Sequence, residues 1–286
     1  MIEIYNECVF LESLINILYS EEKWIKVHSA EFLLSTNTAC GDVFNEFKNQ
    51  ELLFNNEEEY RIGIWRVLYK VSSKRSEKQK YLLKILEAFF SGIDKIHALE
   101  TLSKLKVAVS NYSSSFREEI LNMKEHNNYY IYGLWNLYFT NDIDRYVVLN
   151  RLFNVLMDHQ QLTVNKILVS YIFRFIDVPK EFYNKLLLID YKTWEPNLKL
   201  QYISTLLTLA EIDQNNSLLI KDLLKLQNEN NYLETAILAI STTRGENINQ
   251  LMKQYYKVLS DKNSANYNAD FHATADYAMI KFLKWS

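Results

Sequence analysis

Two stretches of this chain are near copies of each other, and their spacing restricts the available folds more than any other feature. Trp24 to Leu34 reads WIKVHSAEFLL and Asp94 to Leu105 reads DKIHALETLSKL, so both carry Lys, an aliphatic residue, His, two further residues and Glu. Between and beyond them, RIGIWRVLY at Arg61 to Tyr69 and IYGLWNLYF at Ile131 to Phe139 share a Gly-aliphatic-Trp centre. Aligned on His28, Gly63, His97 and Gly133, the four segments stand 35, 34 and 36 residues apart. Carried onward, the same count falls on apolar runs at Ile167, Gln201, Ala236 and His272. A period this short belongs to units that cannot bury their apolar faces alone and must stack on their neighbours.

About eight units fill the chain, at roughly 1–37, 38–72, 73–107, 108–140, 141–177, 178–213, 214–244 and 245–286. Apolar residues inside them recur at i, i+3 and i+4, as at Val9, Phe10, Leu14, Ile17 and Leu18, which is the helical period. Five Gly and two Pro in 286 residues leave little for tight turns, and no Asn-Gly or Asp-Gly hairpin signal occurs. The expected fold is therefore all-α: an α-solenoid of about eight helical hairpins, forming one domain over residues 1–286. Polar punctuation separates the helices, with breaks at Asn55 to Glu59, Asn127-Asn128, Asn215-Asn216 and Asn228 to Asn231. Asp42 and Asn141-Asp142 are expected caps, and Pro179 and Pro196 suit first helical turns. Ser260 to Asp270 is the longest polar gap.

Charge and cysteine content exclude several classes. A net charge of −3 and a pI near 6.0 give no global attraction for phosphate backbones, which disfavours nucleic acid as a partner. Cys8 and Cys40 lack metal-ligand spacing and read as two small buried apolar residues. Acidic residues stand where a signal peptide would carry Lys or Arg, and no apolar run reaches the roughly 18 residues of a membrane span. The expectation is a cytoplasmic protein.

The second segment of each early unit, with WIKVHSAEFLL as its best example, resembles the HEAT-repeat family in its aromatic or aliphatic, basic, small-residue and Leu pattern. The resemblance covers the first four units by pattern and the last four by period. It implies a curved stack whose second helices line an inner, concave face and hold a protein or peptide partner. Some HEAT-like proteins are alkylpurine DNA glycosylases with a basic groove. Their catalytic acid and aromatic residues find no match here, and the mild acidity of the chain counts against that activity.

Polar residues cluster on the repeated second helix. His28 with Glu31, and His97 with Glu100, are i, i+3 pairs on one helix face. Distance argues against a single metal site joining them, since helices two units apart lie roughly 20 Å from one another at 8 to 10 Å per packed neighbour. No metal and no cofactor is expected. Three residues after each anchor stand Glu31, Arg66, Glu100 and Asn136, so adjacent second helices are expected to present acid, base, acid and amide as a ladder. Arg61, Trp65, Tyr132 and Trp135 stand beside the glycines, and Trp is expected to fill the space that the missing side chain leaves. Interleaved Arg, His and aromatic residues suit stacking on a peptide or a sugar.

The expected binding face is therefore centred on Arg61, Trp65, Arg66, His97, Glu100, Tyr132 and Trp135, flanked by His28 and Glu31. The alternative is a carbohydrate-related enzyme or sugar-binding protein, because closed α/α toroids also line a cleft with Trp, Tyr, His, Glu and Arg. Glu31, Glu100 and Arg66 would then be the candidate catalytic groups. His272 and Asp276 repeat the His-plus-acid theme at i, i+4 near the far end.

Overall fold

The computed structural model describes residues 7–54, 56, 58–125, 127–210, 216–226, 233–243 and 248–285. The expected breaks at Asn55, Asn215 and Asn228 to Asn231 lie outside the described residues, as does the side chain of Cys40. Sixteen α-helices occur among the described residues, and no strand does. They are α1 (Glu7–Ser20), α2 (Lys23–Ser35), α3 (Cys40–Phe54), α4 (Glu58–Val71), α5 (Arg75–Ser91), α6 (Lys95–Lys104), α7 (Phe116–Asn122) and α8 (Asn128–Leu137). The later ones are α9 (Asp142–Met157), α10 (Thr163–Phe173), α11 (Lys180–Leu187), α12 (Pro196–Leu209), α13 (Ser217–Lys225), α14 (Leu233–Ile240), α15 (Ile248–Ser260) and α16 (Ala269–Trp285). Successive helices pack as hairpins at α1/α2, α5/α6, α7/α8, α9/α10 and α15/α16.

The two helices of a hairpin differ in kind. In α15 the buried residues Ile248, Leu251, Met252, Tyr255 and Leu259 form one stripe, as in a helix with one face to solvent. In α8, by contrast, Tyr130, Ile131 and every residue from Gly133 to Leu137 are buried, and α12 is buried continuously from Leu200 to Leu207. A helix apolar nearly all round must be covered on several sides. Helix α8 accordingly packs against α6 and α10 as well as α7 and α9, and α12 against α13 and α14.

Local chemistry sets the helix ends. Asn141 accepts the amide N–H of Asp144 at 2.9 Å as the expected cap of α9, and Asn127, read from the sequence as a break, caps α8 by accepting from Tyr130 at 3.0 Å. Asp42 lies instead within the first turn of α3, where its charge favours the helix N-terminus. Pro196 opens α12, and Pro179 stands one residue before α11. Gly92 ends α5 at φ 82, a left-handed conformation that costs a glycine little.

The packing divides into two compact units. The central unit is residues 53–194, in which α4, α6, α8 and α10 form a row backed by α5, α7 and α9. The terminal unit joins residues 1–52 to 195–286, and its row runs α12, α14, α16, α2. Stacking of sequence neighbours accounts for most of this. One contact does not follow it: α1 and α2, the first helices, pack on α16, the last. Lys284 pairs with Glu7 at 3.1 Å, Phe32 stacks on Tyr277 at 4.7 Å, and His28 Nδ1 lies 2.8 Å from Asp270 Oδ1. Cys8 is exposed, against the expectation of a buried thiol, because it lies off the Phe10, Leu14, Ile17 and Leu18 stripe of α1.

Candidate functional site

The nine residues expected on one face do not share one unit. His28 and Glu31, on α2, belong to the terminal unit; the other seven stand on α4, α6 and α8 of the central unit. Within the central unit those three helices are adjacent, so the sequence period becomes direct contact. Arg66 Nη1 donates to Thr101 Oγ1 at 3.1 Å, and Arg61 Nη2 to Asp94 Oδ2 at 3.0 Å. Asp94 caps α6 with a left-handed backbone, φ 58, and its carboxylate is nearly buried beneath that guanidinium.

Glu100 is the electrostatic centre. Burial alone would raise its carboxyl, but Lys104, 2.8 Å away one turn along α6, outweighs it together with the charges of Arg66 and His97. The result is a carboxylate held below its ordinary range. His97 points its Nε2 to Glu59 at 3.3 Å. Tyr132, on the neighbouring helix α8, has its phenol pushed up by burial, then by the negative charge of Glu100 and by Tyr171.

The expected ladder is only partly realised. Arg66 and Glu100 do form successive rungs, whereas Asn136 is fully buried and turns away from Glu100. Its amide donates to Ser103 Oγ and to the Val107 carbonyl, and its oxygen accepts the Val109 N–H at 2.8 Å. The reason is that α6 ends at Lys104, leaving backbone groups of the following turn inside the protein without helical partners. Asn136 satisfies two of them.

Burial also corrects the expected contact surface. Arg66, Trp65 and Trp135 are 2%, 8% and 0% exposed, so they support a surface and do not form it. Nor does Trp135 occupy the space beside Gly133. A Cβ on Gly133 would lie 2.4 Å from Ile120 Cδ1, so the glycine admits Ile120 from α7. Trp135 packs the other way, against Tyr132, Tyr171 and Phe175, with ring centroids 6.3, 6.2 and 5.5 Å distant. Tyr171 and Phe175 are themselves 4.6 Å apart, Arg174 lies over the Tyr171 ring, and Phe175 is 43% exposed. Sequence reasoning missed this pair because their unit lacks the His or Gly anchor. The i, i+4 aromatic spacing in SYIFRF was the available signal.

A second polar cluster lies in the terminal unit. Asp276 on α16 has a fully buried side chain; the Tyr256 hydroxyl donates to its Oδ1 at 3.0 Å, Ser13 hydrogen-bonds it from α1, and its Oδ2 is buried without a partner. Burial pushes this carboxyl up to about 7, against the lowering effects of Ser13, Tyr256 and Lys262. His272, one turn earlier, is pushed down to about 4 by burial and by Lys262. Its Nε2 lies 3.6 Å from Asp276 Oδ2, and its Nδ1 is 3.1 Å from the Tyr267 hydroxyl.

Comparison with protein-family models, curated proteins and solved structures finds no match. Function therefore has to be read from the geometry. Among the described residues, no three His, Cys, Asp or Glu side chains gather as a metal-binding group, and no helix is long and apolar enough to cross a membrane.

Proposed function

We propose that this is a non-catalytic, HEAT-like binding protein that holds a peptide segment of a protein partner on the row of even-numbered helices in the central unit. The observation that carries the proposal is the aromatic cluster of Tyr132, Trp135, Tyr171 and Phe175. A buried Trp fixes three further rings from below, and the outermost of them, Phe175, keeps 43% of its surface open. Rigid aromatic groups seated on a dry foundation are the groups that most often dominate binding, because they bury much apolar area at little conformational cost. Glu100 and Lys104, each under one-fifth exposed, supply an oriented ion pair on α6, and Glu100 acts directly on Tyr132. The buried Arg66–Thr101 bond spans adjacent repeats, which suits an arginine that holds the scaffold.

The experiment places a photo-crosslinking residue at Phe175 and identifies the adducts formed in cell lysate. A defined protein adduct, competed by unlabelled wild-type protein and absent when the crosslinker replaces exposed Leu188, supports the proposal. Adducts equal at both positions would overturn the proposal, and capture of glycans on an array that is lost on Phe175→Ser would favour the sugar-binding alternative.

A further inference from the structure

The terminal unit contains a cavity of about 290 Å³ between α1 and the connection from α15 to α16. Its lining is mostly polar: Glu12, Ser13, Asn16, Ser20, Glu21, Lys262 and Tyr267 line it, beside apolar Val9 and Ile17. Two of these groups lead straight into the buried cluster, since Ser13 hydrogen-bonds Asp276 and Tyr267 meets His272 at 3.1 Å. Lys262 acts electrically on both His272 and Asp276, and Glu21 on Tyr267, so cavity and cluster are one polar assembly.

The direction of the internal hydrogen bonds constrains what would fit. Asp276 accepts from Ser13, which uses that hydroxyl's hydrogen and leaves its oxygen lone pairs for the cavity. The His272 ring meets Tyr267 through Nδ1 at 3.1 Å, and whichever of the two donates, the phenol oxygen keeps a lone pair free of that bond. The Tyr267 oxygen is then also an acceptor toward the cavity. With Glu12 and Glu21 added, the lining offers four acceptor groups, against Lys262 and the Asn16 amide as donors, while the Ser20 hydroxyl can act either way. Acceptors in that excess match a ligand rich in O–H donors. Carboxylates and the ammonium oppose one another in sign, which gives no strong selection for a charged molecule. The size is at the lower edge of small-molecule sites, which run from roughly 300 Å³ upward, so one ring fits better than a chain.

We propose that this cavity binds a monosaccharide-sized polyhydroxylated molecule, with Glu12, Glu21, Ser13 and Tyr267 accepting its hydroxyl hydrogens and Asn16 and Lys262 donating to its oxygens. The site is separate from the proposed peptide surface, because it lies wholly in the terminal unit.

The test is ligand-observed NMR on the full chain with D-glucose, D-galactose, D-mannose and N-acetylglucosamine, and with glycine and L-alanine as zwitterionic controls. Asn16→Leu fills the cavity from an exposed position, and Lys262→Met removes the main donor from another; circular dichroism melting follows the fold of both. The expected result is saturable binding of at least one sugar, weakened at least tenfold by Asn16→Leu at unchanged melting. If Asn16→Leu lowers the melting temperature, Lys262→Met decides, and a similar loss there supports the site. Failure of all four sugars to bind, binding indifferent to the deciding variant, or preferential binding of the amino acids would overturn the proposal.

Discussion

Arg66 reaches across one full repeat to Thr101, 35 residues away in sequence, and both side chains are almost wholly buried. A guanidinium taken out of water needs its hydrogen-bond partners, and loss of one costs about 1–3 kcal/mol. Thr101→Val keeps the shape and removes the acceptor. It should lower unfolding stability by about that amount in urea titration, while Thr101→Ser should recover most of it. Equal stability of the Val and Ser variants would show that the bond contributes nothing.

Gly133 predicts a different kind of fault. Alanine there gains up to about 1 kcal/mol of helix propensity, but its Cβ meets Ile120 Cδ1 at 2.4 Å and Cγ1 at 2.8 Å inside a filled core. Overpacking of this kind typically costs about 1–3 kcal/mol, so Gly133→Ala should be destabilising on balance. Ile120→Val removes the nearest atom. The double variant should be more stable than the sum of the two single changes by at least about 0.5 kcal/mol in a double-mutant cycle.

Much of this architecture was legible in the sequence, for a physical reason. Buried helices need apolar residues at helical spacing, so the all-helical class could be read from where such residues recur, and Asn141 marked the start of α9. Partner choice was legible only in part. Arg66 and Glu100 act on each other as the ladder expects, yet Arg66 also bonds Thr101, and Asn136 bonds the turn beyond α6. Side-chain length and a short helix shifted those contacts, and periodicity carries neither. Tyr171, Phe175 and Lys104 were missed because they lie off the aligned columns, although they complete the surface around Glu100 and Trp135.

His272 and Asp276 make opposite demands on pH, and the pair should nearly cancel. Between about pH 4 and 7 the folded pair carries one proton, on Asp276; the unfolded chain also carries one up to about pH 6.5, on His272, whose ordinary value is 6.5 against 3.8 for the acid. Equal proton counts mean a flat stability profile over most of that window. Single substitutions should uncover two slopes of opposite sign. In His272→Asn the raised Asp276 remains, so stability falls as pH rises from about 4 to 7. In Asp276→Asn the lowered His272 remains, so stability falls as pH drops from about 6.5 to 4. Each slope should be on the order of 2–4 kcal/mol across its window, with Ser13, Tyr256, Lys262 and Tyr267 still in place. Denaturant midpoints at pH 4.5, 5.5, 6.5 and 7.5 measure both, and slopes of the same sign would refute the assignment.

Phe175 should be dispensable for the fold. Its ring is open on one side, so Phe175→Ser should shift the melting temperature by no more than a few degrees while reducing partner capture at least tenfold. Trp135→Ala, which removes the buried foundation, should instead cost about 3–5 kcal/mol. A variant pair that loses capture and melting in proportion would mean that Phe175 only stabilises the unit.

The contact of α2 with α16 has a consequence for synthesis on the ribosome. His28 and Asp270 are 242 residues apart, and at about 5–20 residues per second their meeting waits roughly 12 to 50 seconds. The central unit is continuous in sequence and emerges whole during that delay. Nascent α1 and α2 meanwhile carry Phe10, Leu14, Leu18, Val27 and Leu33 with no α16 to cover them. Helices α1 and α2 are thus made well before the packing partner they need, and it is there that a nascent-chain chaperone would be called on.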